Sequence, residues 1–515
     1  MKAALRLLAV LICLSLLFTA CTQTEEDKQS TELGETQGLQ GTTATSQVKE
    51  FRLAYSSMDT LDPYSAKSKQ NKELSTLIYD SLFAVDNSYK LIYRIGAGIE
   101  TYEKYIVITL KNDVYFTDGS LLTSADVVES FNAAKSSNTA GYKDDLANFK
   151  SCTPLSENVV TFELKSALTN AQYALTFPIF KSGSRGKKLS TGIVKAPIGS
   201  GRYIYSNING NATLVANTAW AFGAIKTPTL QLVETVDQEA VNFCLSNGKV
   251  NCGYDDLSDE ALDTANGSTT LPVPLNNIVF LGANSNSKYF GSKEFRRFLS
   301  YLVDRQRICT DSYLSRALPA NGIYNPQNAE MASKMALPTT SAPSKAQEIF
   351  DSLGFDEQKD AEGFYTKDGV RVNLRLAVSK AASFRVQTAN YLAAALSTFG
   401  IACTVSVYDA NEYTSVLKSG NYDFYVSEMK VGNDLSLSSL LTVYGTPNGD
   451  ALASYKKYRA GSITATEFLD VFEDELPIIP LCFRLGSVFL PKNMQGDMNS
   501  SYSDVYFNIQ NCYFS

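Results

Sequence analysis

The 515-residue chain carries 46 Lys+Arg against 53 Asp+Glu, a formal charge of −7, with 44% hydrophobic and 19% charged residues. These proportions fit a packed body of about three domain-sized units and exclude both wholesale disorder and a polytopic membrane protein. Histidine is absent, which removes His-assisted acyl transfer and imidazole metal sites, and the acidic balance speaks against a nucleic-acid partner.

Met1–Ala20 has a basic start (Lys2, Arg6) followed by the mainly apolar run Leu7–Thr19. That is the length of an export-signal core and too short for a comfortable membrane span. Leu17-Phe18-Thr19-Ala20-Cys21 resembles a bacterial lipobox, with Phe18 where the best-formed examples carry Leu. The resemblance implies cleavage after Ala20 and acylation of Cys21. The exported body is then held at the outer face of the bacterial cytoplasmic membrane by its lipid anchor; ordinary secretion is the alternative. Residues 21–50 read as a flexible acidic and polar tether, without an aromatic residue, whose typical span is on the order of 30 Å.

In the body, Phe51, Leu53 and Tyr55 alternate as in a half-buried strand. Leu74, Leu77, Ile78 and Leu82 form one helical face, and Tyr105–Leu110 is a second strand. After the Asp118-Gly119 turn, Thr123 and Asp126 form an acidic variant of the capping box, opening a helix with Val127, Phe131 and Ala134 inward. Strands follow at Leu214–Asn217, Leu230–Val236 and Ile278–Ala283, with helices at Gln238–Leu245 and Glu294–Arg305. Pro343 opens a further helix that Gly354 closes. Asp368-Gly369 turns into a strand Val370–Val378, and then helix Ala381–Phe399, strand Ile401–Tyr408, helix Glu412–Leu417 and strand Tyr422–Val426 alternate. Strands separated by helices of this length predict α/β or α+β lobes with mixed sheets.

Catalytic signatures are absent. There is no GxSxG elbow, and the basic loop Lys181–Lys188 lacks the spacing of a phosphate loop and reads as solvated. No carboxylate spacing singles out a glycosidase pair, and no calcium loop occurs. The reading is a non-enzyme with no cofactor and no metal. Besides Cys21, the mature chain has Cys152, Cys244, Cys252, Cys309, Cys403, Cys482 and Cys512. Buried free thiols and one or more disulfides are both open.

Several blocks resemble the extracellular solute-binding proteins of ABC importers, family 5, the oligopeptide- and dipeptide-binding type. They are Thr60-Leu61-Asp62-Pro63, Ile108–Gly119 running into Leu122–Phe131, Ala196–Tyr203, Phe295–Arg305 and Gly420-Asn421-Tyr422-Asp423. The resemblance implies a bilobal periplasmic-binding-protein-like fold with a two-stranded hinge. Lobe I would take residues 51–270, with an extra subdomain at about 80–195; lobe II would take 271–480, and 481–515 would return to lobe I. It also implies a monomeric receptor that captures a short peptide or similar small solute for ABC permease subunits served by separate ATPases. An oligosaccharide, opine-like compound or metal chelate, or a sensing role without transport, is the alternative. By position, Asp434 is the counterpart of the acid that holds a ligand ammonium in several peptide binders. A cap for a helix over Leu435–Leu441 is its other reading. Trp220 reads as packing rather than as a ligand platform.

Overall fold

The computed structural model describes residues 49–139, 141–256, 268–446 and 449–515. Cys21, the signal and most of the tether lie outside the described residues.

Phe51–Tyr55 forms the strand that its alternation predicts, with Phe51 and Leu53 wholly buried. It runs parallel to Thr229–Glu234, and Asn211–Ala216 and Tyr203–Ile208 complete a four-stranded sheet. A second four-stranded sheet orders Gly96–Tyr102, Tyr105–Leu110, Val159–Leu164 and Phe149–Ser156. The helix Ser124–Ser136 lies on it because Phe131 meets the rings of Phe149 and Phe162 at 6.3 and 5.6 Å. Its cap is built as read: Asp126 Oδ2 accepts the Thr123 N–H at 2.7 Å and hydroxyl at 2.9 Å. The basic loop is solvated as read, with none of Lys181–Lys188 buried, but Arg185 anchors it. Arg185 Nε donates to the fully buried Asp62 Oδ2 at 2.8 Å, so the loop is pinned to the Thr60–Pro63 turn.

The other half is organised by one mixed sheet. Its path runs Gly253–Asp255, Ile478–Pro491, Ser268–Ala283, Phe424–Lys430, Asn373–Ser379 and Ala402–Tyr408, with Ala317–Pro319 also on Ile478–Pro491. Two predicted elements divide. The helix over 294–305 ends at Leu302, and Asp304 caps a separate turn, Arg305–Arg307, through the Arg307 N–H at 2.8 Å. The strand over 370–378 splits because Val372, wholly buried, donates its N–H to the Tyr365 carbonyl before the main sheet begins at Asn373.

Ser268–Ala283 and Ile478–Pro491 are the two long strands that connect the lobes, and they are antiparallel partners. Pairing runs from Ser268↔Pro491 to Pro274↔Leu485, breaks, and resumes at Ile278↔Phe483. Leu275, Asn276 and Asn277 therefore oppose Arg484 alone, a bulge that interrupts the ladder and bends the strand. The apolar core changes hands at this place. Val273, Leu275, Val488 and Leu490 pack with the first lobe, while Ile278, Val279, Cys482 and Phe483 pack with the second. A bilobal mixed α/β fold with a hinge results.

Candidate functional site

Beside the hinge, the lobes meet along a polar seam. The short helix Tyr142–Asp145 belongs to the first lobe, held by wholly buried Leu146 and by Tyr142, whose ring stands edge-on to Tyr64 at 5.9 Å. From it Asp145 reaches the second lobe. Its Oδ1 accepts the Asn433 N–H at 3.1 Å, and its Oδ2 accepts Asn433 Nδ2 at 2.8 Å. Farther along, the Thr169 N–H donates to the Arg459 carbonyl at 2.8 Å, and Asn170 Nδ2 donates to the Tyr458 hydroxyl at 3.2 Å.

The second-lobe side of the seam is the turn after Phe424–Lys430. Val431 N–H donates to the carbonyl of Asn276, within the hinge bulge, at 2.8 Å, and Leu435 N–H closes a turn onto Gly432 O at 2.9 Å. Gly432 leaves little space: a Cβ there would lie 3.0 Å from Asp434 Oδ1 and 3.3 Å from Asp145 Oδ1, so both carboxylates would have to give slightly. Carboxylates from opposite lobes thus converge on one glycine.

Asp434 lies at this seam but is already engaged. Its Oδ2 forms an ion pair with Arg459 Nη2 at 2.9 Å, its Oδ1 accepts the Ser436 N–H at 3.0 Å, and both paired side chains are buried. It does not cap a helix over 435–441, because the helix begins at Ser438 with Leu437 in the cap position. The Asp434 oxygen that was to cap the helix instead closes a local Asx-type turn.

Burial is the main force raising the Asp145 carboxyl from its ordinary value to about 6; the Asn433 bonds oppose it, the neighbouring Asp434 charge adds to it, and Lys430 offsets part. Behind the seam, Tyr89 sits at the tip of a first-lobe hairpin yet is buried in the second core, stacked on Tyr502 at 5.4 Å. Tyr89 Oη is buried without a hydrogen-bond partner among the described residues, while Tyr502 and Asn276 interact with each other through their side chains. Tyr89 and Asn276 line a cavity of about 10 Å³ with Tyr324, Asn325, Val431 and Leu435, about the room of one water.

Trp220 is interior to the first lobe: its Nε1 donates to Asp80 Oδ2 at 3.2 Å and its ring stands edge-on to Phe222. The seven cysteines in the described body are free thiols, six of them buried. Among the described residues no group of three or more Cys, Asp or Glu side chains is arranged to hold a metal ion, and no helix is long and apolar enough to cross a membrane. The sequence reading reached Asp434 but missed Asp145, Asn433, Arg459 and Tyr458, none of which stands in a local pattern that marks it.

Comparison with known proteins places this architecture. The glutathione-binding protein GsiB of Pectobacterium atrosepticum is 22% identical over 321 residues, which span 58% of this chain and 60% of that protein. The oligopeptide-binding protein AppA from Bacillus subtilis, in complex with a nonapeptide, superposes with a TM-score of 0.56 at 16% identity, covering 91% of this chain and 99% of AppA. NikA from Brucella suis, in complex with Fe(III)-EDTA, gives 0.68 at 14% identity, covering 90% of this chain and all of NikA. Residues 99–451 match the model of the bacterial extracellular solute-binding proteins, family 5, and the chain belongs to that family.

Proposed function

We propose that the chain is the non-catalytic solute receptor of an ABC import system, that it captures short peptides between its lobes, and that it delivers them to permease subunits served by separate ATPases. In this reading Cys21 carries the lipid anchor, lobe I is drawn from residues 51–270 and 481–515, and lobe II from 271–480. The observation that carries it is the seam: beside the bulged hinge, facing surfaces meet through exchangeable hydrogen bonds of Asp145, Asn433, Asn170 and Tyr458. Such contacts are readily traded for those of a solute, whose better fit to the closed form shifts the population toward it. The peptide class is supported by two relatives, one named for glutathione binding and one solved with a nonapeptide.

Native mass spectrometry of the full-length protein, purified without denaturation, tests the reading. Release of heterogeneous short peptides is the expected result. A single sugar or metal chelate would overturn the peptide class and leave the receptor; no solute and no binding from a broad panel would overturn both.

A further inference from the structure

Within the first lobe, two guanidiniums border one cavity. Arg94, Arg202, Asp80 and Asp504 line it, and no residue of 271–480 does. Its volume of about 40 Å³ is about three times the room that one water needs. Donors and acceptors there do not balance. Asp504 is fully used: Oδ1 accepts the Thr76 hydroxyl at 2.8 Å and the Tyr506 N–H at 3.1 Å, and Oδ2 accepts Arg202 Nη2 at 2.6 Å. Asp80 is used as well, taking Trp220 Nε1 at 3.3 and 3.2 Å on its two oxygens and the Ser200 hydroxyl at 3.3 Å on Oδ2. Burial disfavours the Asp80 charge and pushes its carboxyl up to about 6, against the pull of Arg94, Arg202 and these two bonds.

The donors are in surplus. Arg202 is only 2% exposed, yet its Nε is buried without a hydrogen-bond partner among the described residues. Arg94 has aromatic rings for neighbours: its guanidinium carbon lies over Phe507, Phe222 and Trp220 at 5.0, 5.7 and 5.8 Å. No hydrogen bond or ion pair of its side chain occurs among the described residues, and its charge is held down first by burial and then by Arg202. Rings satisfy the face of a guanidinium but leave its in-plane N–H groups without an oxygen. Lys111, 4.6 Å over the same Phe222 ring, is offset by Asp113.

We propose that this cavity is a binding site for a small oxyanion, separate from the solute seam, with the Arg94 fork and Arg202 Nε as its donors. Sulfate, phosphate and a carboxylate group share the required chemistry, two oxygens presented to a guanidinium edge. The anion supplies acceptors that buried donors otherwise lack. Arg94 follows the hairpin of Phe83–Val85 and Leu91–Tyr93, Arg202 precedes the strand Tyr203–Ile208, and Asp504 lies on the C-terminal return. Occupancy therefore ties three distant segments of the lobe together. Because Asp80 and Asp504 already offset much of the positive charge, affinity falls in the millimolar range, about 1–10 mM.

Trp220 is the single tryptophan of the chain and contacts both Asp80 and Arg94, so its fluorescence reports on this site. Titration of the full-length protein with sodium sulfate, phosphate and acetate, each against sodium chloride at equal ionic strength, tests the proposal. At least one oxyanion should change the emission saturably, with half-saturation below about 10 mM, and raise the thermal midpoint by about 2 °C or more; chloride should do neither. A response to sulfate or phosphate but not acetate assigns the site to inorganic anions, and the reverse assigns it to carboxylates. R94Q, which strands no hydrogen-bond partner, should weaken the response about tenfold or more. No saturable emission change and no midpoint shift with any of the three anions, or an R94Q protein that responds as the wild type does, would overturn the site. Neither result touches the seam, so the peptide reading stands or falls separately.

Discussion

Arg484 donates from Nε to Glu428 Oε1 at 2.6 Å and from Nη1 to the Asp256 carbonyl at 2.8 Å. One guanidinium thus ties a strand of the second lobe to the end of a first-lobe strand, directly opposite the bulge. Asn277, in that bulge, donates to the same Glu428 oxygen at 2.7 Å. The hinge is therefore an irregular ladder whose lost backbone bonds are replaced by a charged side-chain node.

Replacing Arg484 with Met should leave Glu428 with Asn277 and a longer contact to Arg385 at 3.7 Å. Stranding a largely buried carboxylate costs about 3 kcal/mol, and the urea unfolding midpoint should fall accordingly. A midpoint equal to the wild type would show that the node carries no stability.

The Asp434–Arg459 pair is buried on both sides. Arg459→Met alone should destabilise the protein by about 3 kcal/mol, and adding Asp434→Leu should recover most of that, because an apolar replacement of both partners removes the unpaired charge. Additive losses in the double variant would contradict this account of the pair.

Gly432→Ala places a methyl 3.0 Å from Asp434 Oδ1 and 3.3 Å from Asp145 Oδ1. Each lobe keeps its own core, so thermal stability should change by less than about 1 kcal/mol, a surface-scale effect. Closure should suffer instead, seen as a larger average distance between spin labels placed one on each lobe. An unchanged distance distribution would refute the close approach.

The pH dependence of ligand-free closure follows from the direction of the Asp145 shift. Its carboxyl holds a proton up to about 6 in the closed seam, against 3.8 for an ordinary aspartate. Closure is thus favoured below the ordinary value and this advantage is lost as pH rises through about 6. Between pH 7.5 and pH 5 the closing constant of the ligand-free protein should rise by about tenfold. Inter-lobe distances should shorten over that range in the wild type and stay fixed in D145N; a shift in the opposite direction would refute the mechanism.

Burial raises five of the seven thiols of the described body above their ordinary values, those of Cys152, Cys252, Cys403, Cys482 and Cys512, with Cys403 up to about 12 and Cys512 up to about 11. A thiol reagent at neutral pH should modify at most one of these seven sites, Cys403, in the native protein and all seven after unfolding. Fast native labelling of several would mean open packing, and fewer than seven labelled after unfolding would mean disulfides in place of free thiols.

The amino-acid sequence by itself determined the elements settled by contacts a few residues apart. The alternation of Phe51, Leu53 and Tyr55, the Thr123–Asp126 cap and the Gly400 that ends a long helix at φ 108 are of this kind. The blocks that carry the family resemblance are equally local, so the fold class was legible from them. The hinge strand Ser268–Ala283 was only half legible, Ile278–Ala283 alone being expected, because Pro272 and Pro274 cannot donate to a ladder and its partner lies some two hundred residues along the chain. Asp145 was not legible at all. It stands beside Asp144 in an unremarkable Tyr-Lys-Asp-Asp turn, and its meaning arises from Asn433, 288 residues away. Asp434 carried a positional signal, but whether its charge was free depended on Arg459, which tertiary packing brings to it. Short-range periodicity and capping fix where strands and helices form; which charges end up neutralised, stranded or facing across a seam is decided by long-range packing, because desolvation and ion pairing depend on neighbours that chain order does not reveal.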